Sequence, residues 1–216
     1  MLSAAARYIA VEGVTGVGKT QLATLLSARL GARLELEEPD DNPFLPLFYE
    51  DPGRYGFQAQ VFYLLERYRR LQAFHQMDLF RSQVVSNYMY DRDAIYAHAT
   101  LSDTELGLYD RIAESLDDTV PSPDLVVLLQ DSVDSTVRRI RARGRGYERG
   151  ITETYVARLN EAYTHYFFHY RSSPLLIVNV SQVDFVNRPG DLDHLLHQIE
   201  SPHSGTRYYR PAHVEA

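Results

Sequence analysis

Along the chain, the first apolar run, Tyr8 to Val11, has no polar face and so predicts a strand buried on both sides. A glycine-rich turn follows, then a helical pattern from about Gly18 to Leu30, then a short second strand, Arg33 to Leu36, ending in acidic residues and Pro39. After a proline-containing loop, Phe57, Val61, Leu64, Tyr68 and Leu71 recur at helical spacing and predict one buried stripe on a long helix from about Pro52 to Arg81. Ser82 to Tyr90 reads as a third strand ending at Asp91, Ser102 to Leu116 as a helix capped by Ser102 and Glu105, and Asp124 to Gln130 as a fourth strand. A basic helix from about Ser132, an arginine-rich loop, a helix from Thr152 to Tyr170, a strand from Leu175 to Val180 and a helix near Asp191 to Ile199 complete the series. Strands alternating with helices predict an α/β fold, a parallel sheet with helices on both faces. The expected organisation is a single domain over residues 1–200 and a loose tail over 201–216, with no internal repeat.

Composition narrows the chemistry. With no cysteine among 216 residues, a disulfide framework, a thiolate zinc site and cysteine nucleophile chemistry are excluded. The eight histidines show no metal-ligand spacing. A formal charge of −7 has the wrong sign for coating nucleic acid, and no stretch approaches the roughly 20 apolar residues of a membrane span. The expectation is therefore a cytoplasmic protein with neither nucleic acid nor membrane as partner.

Of the 22 basic residues, Lys19 is the only lysine. It closes Gly13-Val14-Thr15-Gly16-Val17-Gly18-Lys19-Thr20, a glycine, four residues, then Gly-Lys-Thr, between a predicted strand and a predicted helix. Glycines there let backbone N–H groups turn onto phosphate oxygens at the positive end of the helix. Lys19 is expected to reach the β and γ phosphates of ATP, and Thr20 to place its hydroxyl on Mg2+. An ammonium is a compact point charge that enters a tight loop where a planar guanidinium fits poorly.

Other residues gather where ligands of open α/β sheets bind, at the carboxyl ends of the strands. Glu37-Glu38-Pro39 follows the second strand, where a carboxylate facing the phosphate loop can take a proton from an attacking hydroxyl. Gln60 and Arg67 share one face of the long helix, and an amide that donates and accepts matches a nucleobase edge. Asp91 is placed to hold magnesium or its water, and Arg92 to steady an acceptor oxygen or the γ phosphate. Arg138 to Glu148 is the densest positive charge in an acidic chain, and its glycines suggest an arginine lid. Tyr155, Leu159, Tyr163, Tyr166 and Tyr170 read as packing or a dimer face.

Taken in order, Phe48-Tyr-Glu-Asp-Pro52, Gln60 to Arg67, Asp91-Arg92, Arg139 to Arg145 with Glu148, and Asn179 through Asp184-Phe185 resemble the deoxyribonucleoside kinase family, particularly its bacterial members. The resemblance covers residues 8 to about 200 and implies a five-stranded parallel sheet, an arginine-rich lid and a homodimer. It implies that Glu38 is the general base, that Tyr49 and Glu148 clamp the sugar 3′ hydroxyl, that Gln60 reads the base, and that Arg92 assists near the 5′ oxygen. Arg139, Arg143 and Arg145 become the lid arginines, and Asp184 and Phe185 lie near the ATP adenine. Where many relatives have Asp/Glu-Arg-Ser this chain has Asp-Arg-Asp93, which makes Asp93 a second candidate for the metal. Ala97 stands where cytidine and guanosine kinases carry an aspartate that works with the arginine equivalent to Arg67. The expected activity is phosphorylation of a deoxynucleoside, purine favoured, in nucleotide salvage. A thymidylate kinase and an NTP-dependent switch are the alternatives.

Overall fold

The computed structural model describes residues 6–37, 39–76, 83–116 and 120–211. Six parallel strands form one sheet: β1 (Tyr8–Glu12), β2 (Arg33–Glu35), β3 (Val84–Ser86), β4 (Leu125–Gln130), β5 (Leu175–Asn179) and β6 (Thr206–Tyr208), in the order β2-β3-β1-β4-β5-β6. The central strands β1 and β4 carry unbroken apolar runs because helices cover both faces. Their side chains meet Leu22 and Leu26 of α1 (Lys19–Leu30), Leu159 and Tyr163 of α7 (Glu153–His169), and Leu192 and Leu195 of α8 (Pro189–Glu200) in one core. Leu22 is fully buried in it. Leu22→Ala is expected to lower the unfolding free energy by about 2–5 kcal/mol, read as a lower urea midpoint at unchanged slope.

The remaining helices surround these elements, and all but the one over Asp103–Glu114, which packs on its neighbours, line a cleft beside the phosphate loop. They are α2 (Leu45–Glu50), α3 (Pro52–Gln76), α4 (Arg92–Thr100), α5 (Asp103–Glu114) and α6 (Val133–Arg143). Glu105 caps α5 by accepting from the Ser102 N–H at 3.1 Å, as its spacing predicts.

Four features depart from the sequence expectation, one being that the proline-containing loop before Pro52 holds the short helix α2. The third strand is shorter than predicted, since Met89 N–H leaves the ladder to donate to Glu12 at 2.8 Å. The chain then enters α4, read from sequence only as a strand end. The sheet has six strands, not five: Thr206–Tyr208 pairs with β5, so part of the segment expected as a loose tail is an edge strand.

Candidate active site

Between β1 and α1 the loop turns through three left-handed glycines, Gly13 at φ 138°, Gly16 at 83° and Gly18 at 110°. A Cβ at Gly13 would stand 2.4 Å from the Leu129 carbonyl oxygen, and one at Gly16 2.5 Å from Ile140 Cγ1, so no side chain fits at either position. Lys19 Nζ lies across this cradle and donates to the Gly13 and Val14 carbonyls, each at 2.8 Å. Burial, with Arg92 adding to it, pushes the Lys19 ammonium well below the ordinary lysine range. Asn87, just past β3, donates from Nδ2 to Thr20 Oγ1 at 2.9 Å, while its Oδ1 accepts the Glu37 N–H at 2.8 Å. One side chain thereby ties the phosphate loop to the segment after β2.

Below the loop runs a ladder of alternating charge. Glu12, at the end of β1 and wholly buried, accepts from Arg92 Nε at 3.1 Å and Nη2 at 3.1 Å, from Tyr163 Oη at 3.1 Å, and from the Met89 and Gly13 N–H groups. Arg92 reaches past it with Nη1 to Glu37 Oε2 at 2.9 Å. Glu37 Oε1 takes Arg67 Nε at 2.5 Å, and Arg67 Nη1 pairs with Asp93. Burial alone would raise the Glu37 carboxyl, but Arg67 and Arg92 outweigh it and hold it below the usual carboxylate range. Asp93 is the opposite case, since burial pushes its carboxyl up to about 7 against the pull of Arg67. Both guanidiniums stay protonated, their neighbouring carboxylates outweighing the effect of burial.

The ladder, the loop and helices α2, α3, α4 and α6 enclose a cleft of about 370 Å³. From the expected set it collects Thr15, Gly16, Gly18, Lys19, Thr20, Tyr49, Gln60, Arg67, Arg92, Arg139, Arg143, Arg145 and Glu148. Arg143 donates to Glu148 at 3.0 Å, and Gln60 Nε2 approaches Thr100 Oγ1 at 3.5 Å. Arg139 pairs with Asp131, at the edge of a second cleft of about 550 Å³ on the far side of the loop. Val17, Asp184 and Phe185 line that second cleft. The Asp184 carboxylate accepts from the Asn187 N–H at 2.9 Å and the Val186 N–H at 3.3 Å, shaping the turn that forms the wall; these bonds lower its pKa.

Some expected residues stand elsewhere. Ala97 is buried with Leu64 and Tyr109, outside the cleft. Asp91 and Asp93 do not line it either: Asp91 takes the Tyr166 hydroxyl, and Asp93 is committed to Arg67. Among the described residues, Glu12 and Glu37 are the carboxylates that stand beside the loop. Glu38, the general base implied by resemblance, lies outside the described residues. Sequence reasoning missed Glu12, Asn87, Tyr63 and Tyr96, of which only Glu12 left a signal, a charge closing an apolar strand just before the glycine loop.

A glycine cradle at the carboxyl edge of a parallel sheet, with an ionised carboxylate and convergent arginines beside it, defines a P-loop phosphotransferase. The family model for deoxynucleoside kinase matches residues 9–202, and the chain belongs to that family. Deoxyguanosine kinase of Bacillus subtilis (strain 168) is 35% identical over 159 residues, covering 73% of this chain and 77% of its own. Deoxyguanosine kinase of Lactobacillus acidophilus (strain ATCC 700396 / NCK56 / N2 / NCFM) is 34% identical over 202 residues, 88% of each chain. The structure of deoxyadenosine kinase from M. mycoides with bound dATP shares the fold with a TM-score of 0.78 at 22% identity, over 90% of this chain and all of that one.

Proposed function

We propose that the chain transfers the γ-phosphoryl group of ATP to the 5′ hydroxyl of a deoxynucleoside, with a purine favoured. The observation that carries this reading is the ionised Glu37, held by Arg67 and Arg92 in the cleft that Lys19 and the arginine segment also line. In this reading Glu37 takes the hydroxyl proton as the new oxygen–phosphorus bond forms and ADP departs with the electrons of the old one, with the adjacent Glu38 the other candidate. The loop N–H groups and Lys19 grip the phosphates, while Arg92, Arg139, Arg143 and Arg145 offset charge on the group in transit.

Gln60 faces the base, and Tyr49 with Glu148 faces the sugar 3′ hydroxyl. The second cleft, walled by Asp184 and Phe185, takes the adenine of ATP. Among the described residues no group of three His, Asp or Glu side chains could hold a metal by itself. That suits magnesium, which keeps most of its shell as water and phosphate oxygens; Thr20 would hold it, and it would supply charge neutralisation at the phosphates. The names of the deoxyguanosine kinase relatives favour a purine acceptor. Family resemblance further suggests a cytoplasmic homodimer, which sedimentation velocity can test.

Release of ADP from MgATP, measured with each deoxynucleoside, each ribonucleoside and thymidine monophosphate offered separately, is the test. Stimulation by deoxyadenosine or deoxyguanosine above the other acceptors is the expected result. Stimulation by thymidine monophosphate alone would replace the reading with a monophosphate kinase, and stimulation by none with a nucleotide-dependent switch.

A further inference from the structure

After α6 the chain makes a short 3₁₀ turn, Gly146–Gly150, that presses against the opposite wall of the cleft. Tyr147 lies flat on Tyr49, with ring centroids 6.2 Å apart and planes 4° from parallel. Its hydroxyl donates to Asp40 Oδ1 at 2.5 Å and accepts from Arg145 Nη1 at 3.1 Å. Asp40 sits in the turn Pro39–Asp41, close after Glu37 in the chain. A Cβ on Gly150 would stand 2.6 Å from the Tyr49 carbonyl oxygen, so the two backbones meet without room for a side chain. One phenol thus bridges a cation on the phosphate side of the cleft to an anion on the side of the carboxylate.

We propose that Tyr147 is a positioning residue, whose hydroxyl clasps the arginine segment to Asp40 and so sets Arg145 and Glu148 when the Tyr49 wall is seated. The inference rests on the kinase reading above for its catalytic consequence, not for its geometry. A bond to a charged partner has directional strength that ring packing alone lacks. The clasp therefore couples the two halves of the cleft: order on the acceptor side is passed to the arginines on the phosphate side.

Tyr147→Phe keeps the stacked ring and removes only the hydroxyl. Two readouts decide. Without nucleotide, trypsin cleavage within residues 138–149 is expected to run about five- to tenfold faster in Tyr147→Phe than in the parent, at the same Tm. In the reaction, kcat with the best acceptor is expected to fall about tenfold with little change in KM for MgATP. Asp40→Ala should produce both effects in the same direction, and the double variant Asp40→Ala/Tyr147→Phe should be no worse than Tyr147→Phe alone, since loss of the hydroxyl already removes the bond to Asp40 together with the one from Arg145.

Unchanged trypsin cleavage, or losses that add in the double variant, would overturn the clasp. Faster cleavage in an enzyme whose parent shows no acceptor-stimulated turnover would sink the kinase reading and leave the clasp standing.

Discussion

Glu37→Gln is expected to lower acceptor-stimulated turnover by about 10²- to 10⁴-fold, the usual worth of a positioned general base, while leaving ATP affinity within a few-fold of the parent. The amide keeps the size of the side chain, but its single oxygen can accept from only one of Arg92 and Arg67 and its NH2 leaves the other unanswered, so urea unfolding measured beside turnover separates the loss of the proton acceptor from the loosening of the pocket. Glu38→Gln is the control, expected to keep most of the activity; if it is the damaging change, the assignment of the base moves one residue along.

The pH profile carries a second check. Arg67 and Arg92 hold the Glu37 carboxyl below its ordinary value, so the acid limb of kcat/KM is expected below the usual carboxylate range, and Arg67→Met should move that limb upward. The same depression contributes stability that is present above the unfolded-state pKa and is lost as pH falls through the lower folded-state value. Acid unfolding of Glu37→Gln should accordingly be less steep than that of the parent.

Arg92→Ala is expected to cost about 3–5 kcal/mol of stability and to abolish turnover. Its guanidinium answers both Glu12, wholly buried, and Glu37, whose side chain is 14% exposed at the cleft; without it the Glu12 carboxylate is left buried with no cationic partner beside a second carboxylate. Lysine should rescue poorly, because one ammonium cannot present the planar fork that meets Glu12 through Nε and Nη2 and Glu37 through Nη1. Arg92→Met with Glu12→Gln is expected to recover much of the stability and none of the activity. Urea unfolding beside ADP release separates the two effects. A stable, inactive Arg92→Ala would mean that water, not protein, compensates Glu12.

Much of this was legible in the residues, for identifiable reasons. The phosphate loop was, because its turn needs left-handed glycines and its charge needs a lysine, and both needs leave letters in the chain. The central strands were, because burial on two faces forces unbroken apolar runs. By contrast α4 was hidden: its first turn points Arg92 and Asp93 inward, 4% and 1% exposed, so charges occupy positions where an apolar stripe would announce a helix. Strand β6 was hidden because it is a three-residue edge whose Thr206 and Tyr208 face outward. The choice between Glu37 and Glu38 was open in the sequence because adjacent residues carry the same letter; Arg67 and Arg92 both reach Glu37, and Glu38 lies outside the described residues.

The ladder from Glu12 through Arg92, Glu37 and Arg67 to Asp93 also limits how such a site can drift. Signs alternate along it, so a single substitution that removes one of the three inner charges, Arg92, Glu37 or Arg67, leaves two like charges adjacent or a lone charge stranded. Viable change must come as matched pairs or through an intermediate propped up by stabilising changes elsewhere. A library of single variants would therefore return nearly every rung as indispensable, including rungs that never touch the reacting atoms, and only pairwise libraries would tell chemistry from parity.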